Sequence, residues 1–295
     1  MIDRGRPQFG PRFALPRSGA YIPWRGFCVC APDASGAFVS ALVVIPARLG
    51  ATRLPRKPLR LLGGQPIIVR VWERVRAMPL DARIVIATDA EEVALACQAV
   101  GAEVVLTRSD HPSGTDRVAE VAARPEFGGF EVIVNVQGDE PYINSDAVLG
   151  AAALVRSGRF PLGTAASHAP SEVLTNPDVV KVVTSSEGRA LYFSRAPIPF
   201  LRDRADRALQ DAILKQHIGV YAYTPAALQR WVSLPPHALE MIERLEQLRA
   251  IADGLAMGVA TVAPVQGGGI DTEADLERAN LRWTETNPPA PGTTR

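Results

Sequence analysis

The chain has 295 residues with 32 Lys+Arg, 31 Asp+Glu and 47% hydrophobic residues, which excludes disorder over its whole length and fits one large or two small globular domains. A net charge of +1 gives no electrostatic reason to expect nucleic acid or a membrane surface as the main partner, since either favours a clear basic excess. Cys28, Cys30 and Cys97 make neither a disulfide framework nor a Cys-x-x-Cys pair, no apolar run reaches the ~18 residues of a membrane span, and no signal-peptide pattern is present; the expected location is the cytoplasm.

Residues 1–38 carry five Pro, five Gly and five Arg with no apolar period, so they read as a disordered extension or an over-long start. From Val39 the pattern changes to short β-branched runs alternating with amphipathic stretches. Strands are predicted at 41–45, 83–87, 103–106 and 131–136, with helices near 66–77, 90–100 and 115–123. Extended runs follow at 179–184, 190–194 and 218–223, then a helix at 239–253, a strand near 258–263 and a last helix from about 272. This alternation predicts an α/β fold: a single domain at 39–284 with a mostly parallel, Rossmann-like mixed sheet and a flexible tail at 285–295. Such sheets bind ligands at the C-terminal ends of their strands.

Only three of the 32 basic residues are lysines, Lys57, Lys181 and Lys215, and a chain that otherwise writes Arg keeps Lys where a compact ammonium is needed. Lys57 falls in the loop after the first strand, Ala47-Arg48-Leu49-Gly50-Ala51-Thr52-Arg53-Leu54-Pro55-Arg56-Lys57-Pro58. Four cations at a strand's C-terminal end suit a triphosphate, although the loop is neither a Walker motif nor G-x-G-x-x-G. A merely solvated basic loop is the competing reading; Pro55 and Pro58 stiffen the segment and favour the cradle.

Gln137-Gly138-Asp139-Glu140-Pro141 follows the strand at 131–136. Gly138 permits a tight turn, which points Asp139 at the ligand crevice, where a carboxylate is suited to Mg²⁺. Asp271, after Gly267-Gly268-Gly269-Ile270, either offers a second carboxylate or, with Thr272, caps the last helix. The turn His111-Pro112-Ser113-Gly114-Thr115-Asp116-Arg117 either caps a helix or reads a base edge. Lys215, His217 and Tyr221 share one strand face, as cavity-lining or as structural residues. In the helix at 239–253, Leu239, Ile242, Leu245, Leu248 and Ala252 form an apolar stripe, which leaves Glu243, Glu246 and Gln247 on the solvated face.

Together the strings IPARLGATRLPRKPL, HPSGTDR, NVQGDEP, NPDVVKVV, ALYFSRAPIP, HIGVYAY, LEQLR and GGIDT resemble the 3-deoxy-manno-octulosonate (Kdo) cytidylyltransferases, of nucleotide-diphospho-sugar transferase fold. The resemblance implies activation of Kdo with CTP, for lipopolysaccharide biosynthesis, by a Mg²⁺-dependent homodimer with a sugar-binding and dimerisation arm at about 180–225. It implies that Arg48, Arg53 and Lys57 meet the CTP phosphates, that Ser113, Gly114, Thr115 and Arg117 lie near the cytidine, and that Asp139 and Asp271 hold Mg²⁺. It further implies a sugar site of Gln137, Arg195, His217, Tyr221, Glu246 and Gln247, with Arg195 on the sugar's carboxylate. Ala51 and Arg56 depart from the family's usual Ser and Gly, which implies altered CTP affinity and retained activity. A related sugar acid, 8-amino-Kdo or sialic acid, and a non-catalytic nucleotide-binding module are the alternatives.

Overall fold

The computed structural model describes residues 41–50, 53–264 and 268–286. The expected extension, Ala51 and the end of the tail lie outside the described residues.

In chain order the elements are β1 (Ala41–Ala47), the hairpin strands β2 (Leu61–Leu62) and β3 (Gln65–Pro66), α1 (Ile67–Arg76), β4 (Ala82–Thr88), α2 (Glu91–Gln98), β5 (Glu103–Leu106), α3 (Gly114–Ala122) and β6 (Val132–Val136). Then come α4 (Ser145–Arg156), β7 (Leu162–His168), β8 (Lys181–Thr184), β9 (Ala190–Ser194), α5 (Arg207–Ile213), β10 (Lys215–Tyr223), α6 (Pro225–Ser233), α7 (Ala238–Glu243), α8 (Gln247–Ala252), β11 (Met257–Val262) and α9 (Glu273–Thr286).

The main sheet runs β11-β7-β10-β6-β1-β4-β5, with β8 pairing to β10 and β9 to β8. The β1–β4, β1–β6, β4–β5 and β7–β11 pairs are parallel, and β10 is antiparallel to both β6 and β7. The predicted α/β architecture with a mostly parallel central sheet is therefore present. Its strands are apolar on both faces because both are covered. Ala41, Val43 and Ile45 of β1 pack with α1, α2, α4 and α9, while Leu42 and Val44 pack with α3, α6 and α8. The chain leaves β1 for β4 and β5, then returns to β6 on the other side of β1. That reversal opens the crevice between β1 and β6, where an open sheet of this kind takes its ligand.

Three expectations change. The segment expected as an arm divides: β10 sits between β6 and β7 inside the sheet, and β8, β9 and α5 lie off the main strand path. The helix predicted at 239–253 is two short ones, because Arg244 takes a left-handed conformation at φ 56° and ends α7. Its apolar stripe is broken accordingly: Ile242 is 79% exposed while Leu245 and Leu248 are buried. The sequence pattern also left α4 and β7 unannounced. They are built from small residues with little polar contrast, which lets them approach closely; a Cβ on Gly163 of β7 would lie 2.3 Å from the Ala151 carbonyl of α4.

Candidate active site

The loops after β1 and β6 meet at Pro46. A Cβ on Gly138 would stand 2.5 Å from the Pro46 carbonyl oxygen, so only glycine allows this approach. Gly114, the first residue of α3, lies against the ring of the same proline. Pro46 thus gathers the basic loop, the acidic loop and the polar turn at one end of the sheet.

The acidic loop and the segment before α9 are clipped by a backbone bond from Ile270 N–H to the Asp139 carbonyl, 2.9 Å. Thr272 and Asp275 cap α9 reciprocally: Thr272 Oγ1 accepts from the Asp275 amide at 3.2 Å and Asp275 Oδ2 from the Thr272 amide at 2.8 Å. Thr272 therefore does the capping, and the Asp271 carboxylate turns to the crevice. There Lys57 Nζ lies 2.5 Å from Asp139 Oδ2 and 2.8 Å from Asp271 Oδ1, and Arg53 reaches Asp271 Oδ2 at 3.0 Å. Burial lowers the Lys57 pKa, but the two carboxylates outweigh it and raise the ammonium above its ordinary value. Arg48 is exposed at the end of β1.

Glu140 was given no role from sequence. Burial first, then Asp139 and Asp271, push its carboxyl up to about 8. A third carboxyl, kept largely protonated at neutral pH, therefore stands beside the two aspartates, and the signal was present in the Asp139-Glu140 pair itself. Arg56 has φ 58° and ψ 29°, the left-handed region where glycine is unstrained. An arginine here therefore carries a backbone cost that a glycine would not. Here Arg56 holds Glu92 with two bonds of 2.9 and 2.6 Å.

Ser113 caps α3, its Oγ accepting from the Asp116 amide at 3.3 Å, and the same oxygen lies 2.9 Å from Glu246 Oε1. Glu246, expected on the sugar and from periodicity in solvent, is half-buried against the polar turn, and burial raises its carboxyl. Gln247 is 3% exposed, again unlike a solvated helix face. Thr115 is buried. Arg117, expected near the cytidine, is buried too: its guanidinium reaches Thr107 and lies 3.4 Å from Asp89, so it braces the turn from behind.

On β10, His217 Nε2 is 2.8 Å from Thr164 Oγ1, whose hydroxyl donates to the Val220 carbonyl at 2.7 Å. The ring lies among Phe193 and Tyr221, with centroids 4.9 and 5.5 Å away. Burial lowers its pKa to about 3, so it offers hydrogen bonds and no charge at neutral pH. Arg195 donates from Nε to the Glu243 carbonyl at 2.9 Å and from Nη1 to the Pro177 carbonyl at 2.8 Å. Gln137 is half-buried at the mouth of the crevice, near Gly219. Lys215 bonds Thr184 Oγ1 at 3.0 Å, and Lys181 is fully buried, its ammonium on the carbonyls of Asn176, Val179 and Arg195.

Asp139 and Asp271 come from separate loops and already share one cation, a donor set that suits Mg²⁺, which takes one or two protein carboxylates and completes its shell with phosphate oxygens and water. No cage of three or more acidic, His or Cys side chains exists among the described residues. Among the same residues, no helix is long and apolar enough to cross a membrane.

The cytidylyltransferase family profile matches residues 42–257. The chain is 62% identical over 242 residues, 82% of its length, to a 3-deoxy-manno-octulosonate cytidylyltransferase of Gemmatimonas aurantiaca, 93% of which is covered. It is 46% identical over 250 residues to the enzyme of the same name from Leptothrix cholodnii, covering 83% of this chain and 92% of that one. Among solved structures, a CMP:2-keto-3-deoxy-manno-octonic acid synthetase complexed with CTP superposes with a TM-score of 0.77 at 38% identity, over 84% of this chain and 99% of its own.

Proposed function

This chain belongs to the cytidylyltransferase family and, within it, to the 3-deoxy-manno-octulosonate cytidylyltransferases, and on that premise we propose that it joins CTP and Kdo to give CMP-Kdo and pyrophosphate. The observation that carries this reading is the convergence of Lys57, Asp139 and Asp271 in the crevice between β1 and β6. The anomeric hydroxyl oxygen of Kdo bonds to the α-phosphorus, the bond to the β-phosphate's bridging oxygen breaks, and the hydroxyl proton passes to solvent. Arg48, Arg53 and Lys57 stabilise the charge that accumulates on pyrophosphate. Asp139 and Asp271 would hold Mg²⁺, which would offset negative charge on the triphosphate.

The Ser113-Gly114-Thr115 turn takes the cytidine, with Arg117 bracing it. Gln137, Tyr221, Glu246, Gln247 and neutral His217 take the sugar's hydroxyls, and Arg195 meets its carboxylate with the guanidinium donors that Glu243 and Pro177 leave over. Positioning and electrostatics carry the catalysis.

The enzyme works in the cytoplasm, in lipopolysaccharide biosynthesis, as a homodimer. The exposed apolar residues Phe200, Leu209 and Ile213 between β9 and β10 support the dimer; a monomeric mass by light scattering overturns it. The reaction is tested by pyrophosphate release with each of the four nucleoside triphosphates against Kdo, 8-amino-Kdo and sialic acid. CTP with Kdo is expected to give the highest kcat/KM, and a higher value for another pair reassigns the substrate.

A further inference from the structure

We propose that Lys57 is a resident internal cation that the triphosphate exchanges for the divalent metal, so that metal enters with the nucleotide and not ahead of it. The proposal rests on the reading of Asp139 and Asp271 as the metal ligands.

The two carboxylates are held close by the backbone. The Ile270 amide ties their loops together, and the Thr272–Asp275 cap leaves Asp271 free of the helix end. Two like charges fixed side by side need a cation between them. Lys57 supplies it through one oxygen of each carboxylate, at 2.5 and 2.8 Å. Its side chain is only 16% exposed, and the prolines on either side, Pro55 and Pro58, stiffen its backbone. Arg53, 68% exposed on the other oxygen of Asp271, is screened and contributes little.

An ammonium and a metal ion cannot occupy one seat. A divalent ion arriving alone has to displace Lys57 from both carboxylates at once, breaking two close ion pairs while the ammonium stays half-buried. A triphosphate changes both sides of the exchange: it gives the ammonium a new partner and gives the metal additional oxygens. The coupling is reciprocal, so metal also strengthens the nucleotide's hold. A guanidinium does not fit this role, because its planar fork does not act as a point charge between two carboxylates. This is consistent with a lysine here in a chain whose other basic residues are nearly all arginine.

The three lysines make the test direct. Full-length protein labelled with ¹³C at lysine Cε gives three side-chain signals, and Lys57→Met identifies one by its loss. The Lys57 signal is expected to stay in place with millimolar Mg²⁺ alone and to move when CTP is added without metal. Mn²⁺ titrated without nucleotide and read by electron paramagnetic resonance is expected to bind Lys57→Met at least tenfold more tightly than wild type, and Asp139→Asn in that background removes the gain. Lys57→Gln repeats the comparison should the methionine variant melt at lower temperature. Equal or weaker Mn²⁺ binding by both Lys57 variants overturns the exchange, as does a Lys57 signal that moves with Mg²⁺ alone. Turnover of CTP and Kdo that needs no divalent ion overturns the metal reading itself and the exchange with it. Mg²⁺-dependent turnover without the tighter binding leaves that reading standing and removes the exchange alone.

Discussion

The Ile270 amide donates to the Asp139 carbonyl at 2.9 Å, and this bond brings together two carboxylates from loops far apart in the chain. Neither loop has a helix or strand of its own at that point. The distance between the two acids is therefore set by backbone, which holds it far more firmly than side-chain packing on a surface loop.

Replacing either acid by its amide keeps shape and removes charge. Asp139→Asn and Asp271→Asn are each expected to lower kcat roughly 100-fold or more, the scale of losing one electrostatic element of a transition state. Thermal melting is expected to change by only a few degrees. Near-normal pyrophosphate release by either variant removes the role assigned to that carboxylate.

Gly138→Ala places a methyl 2.5 Å from the Pro46 carbonyl oxygen and 3.2 Å from Ile68 Cδ1. A backbone oxygen cannot step aside, so the acidic loop shifts; a displacement of about 1 Å is enough to cost on the order of 100-fold in rate. Gly219→Ala meets only Gln137 Cγ at 3.8 Å, an ordinary contact, and is the control. Steady-state kinetics of the pair decides whether the glycine serves the approach or merely the turn.

Arg244 and Arg56 both have positive φ, 56° and 58°. Arg244→Gly is expected to raise stability by about 0.5–1 kcal/mol, since the left-handed backbone costs an L-residue more than glycine loses in chain entropy. Arg56→Gly gains less, because the exposed pair with Glu92 is worth roughly 0–1 kcal/mol. Urea unfolding of the two variants measures the difference, and a destabilised Arg244→Gly contradicts the backbone argument.

His217 titrates near 3 in the fold because burial disfavours its cation, against about 6.5 in the unfolded chain. As pH falls below 6.5 the unfolded state takes a proton that the folded state refuses, so stability falls with pH down to about 3. By pH 4.5 the loss attributable to this residue is roughly 2–3 kcal/mol. Stability against pH for wild type and His217→Gln checks this; parallel curves between pH 6.5 and 4.5 contradict the assignment.

Much of the fold was legible because apolar periods report burial directly. The runs at β1 and β6 are continuous and mostly β-branched, as strands covered on both faces have to be. Where contrast was low the reading failed: α4 and β7 are rich in Ala and Gly, and their signal is close approach, which shows only when both partners are in place. The stripe drawn through 239–253 failed for a different reason. One residue at φ 56° ended the helix, and nothing about an arginine announces a left-handed backbone.

The site divides in the same way. Sequence alone determined which charged groups the protein has to offer and at which ends of which strands they lie, because strand ends and tight turns are local properties. It also marked the scarce lysines, and Lys57 became the cation of the crevice while Lys181 became a buried strut. Only the tertiary structure decided that Thr272 and not Asp271 caps α9, that Glu246 and Gln247 turn inward, and that Arg117 braces the turn from behind. Each of those outcomes depends on a neighbour supplied by a distant part of the chain: Asp139 to clip Ile270, Ser113 to meet Glu246, Thr107 and Asp89 to receive Arg117. A local pattern cannot contain such a partner, and the partner is what selects among the conformations the pattern allows.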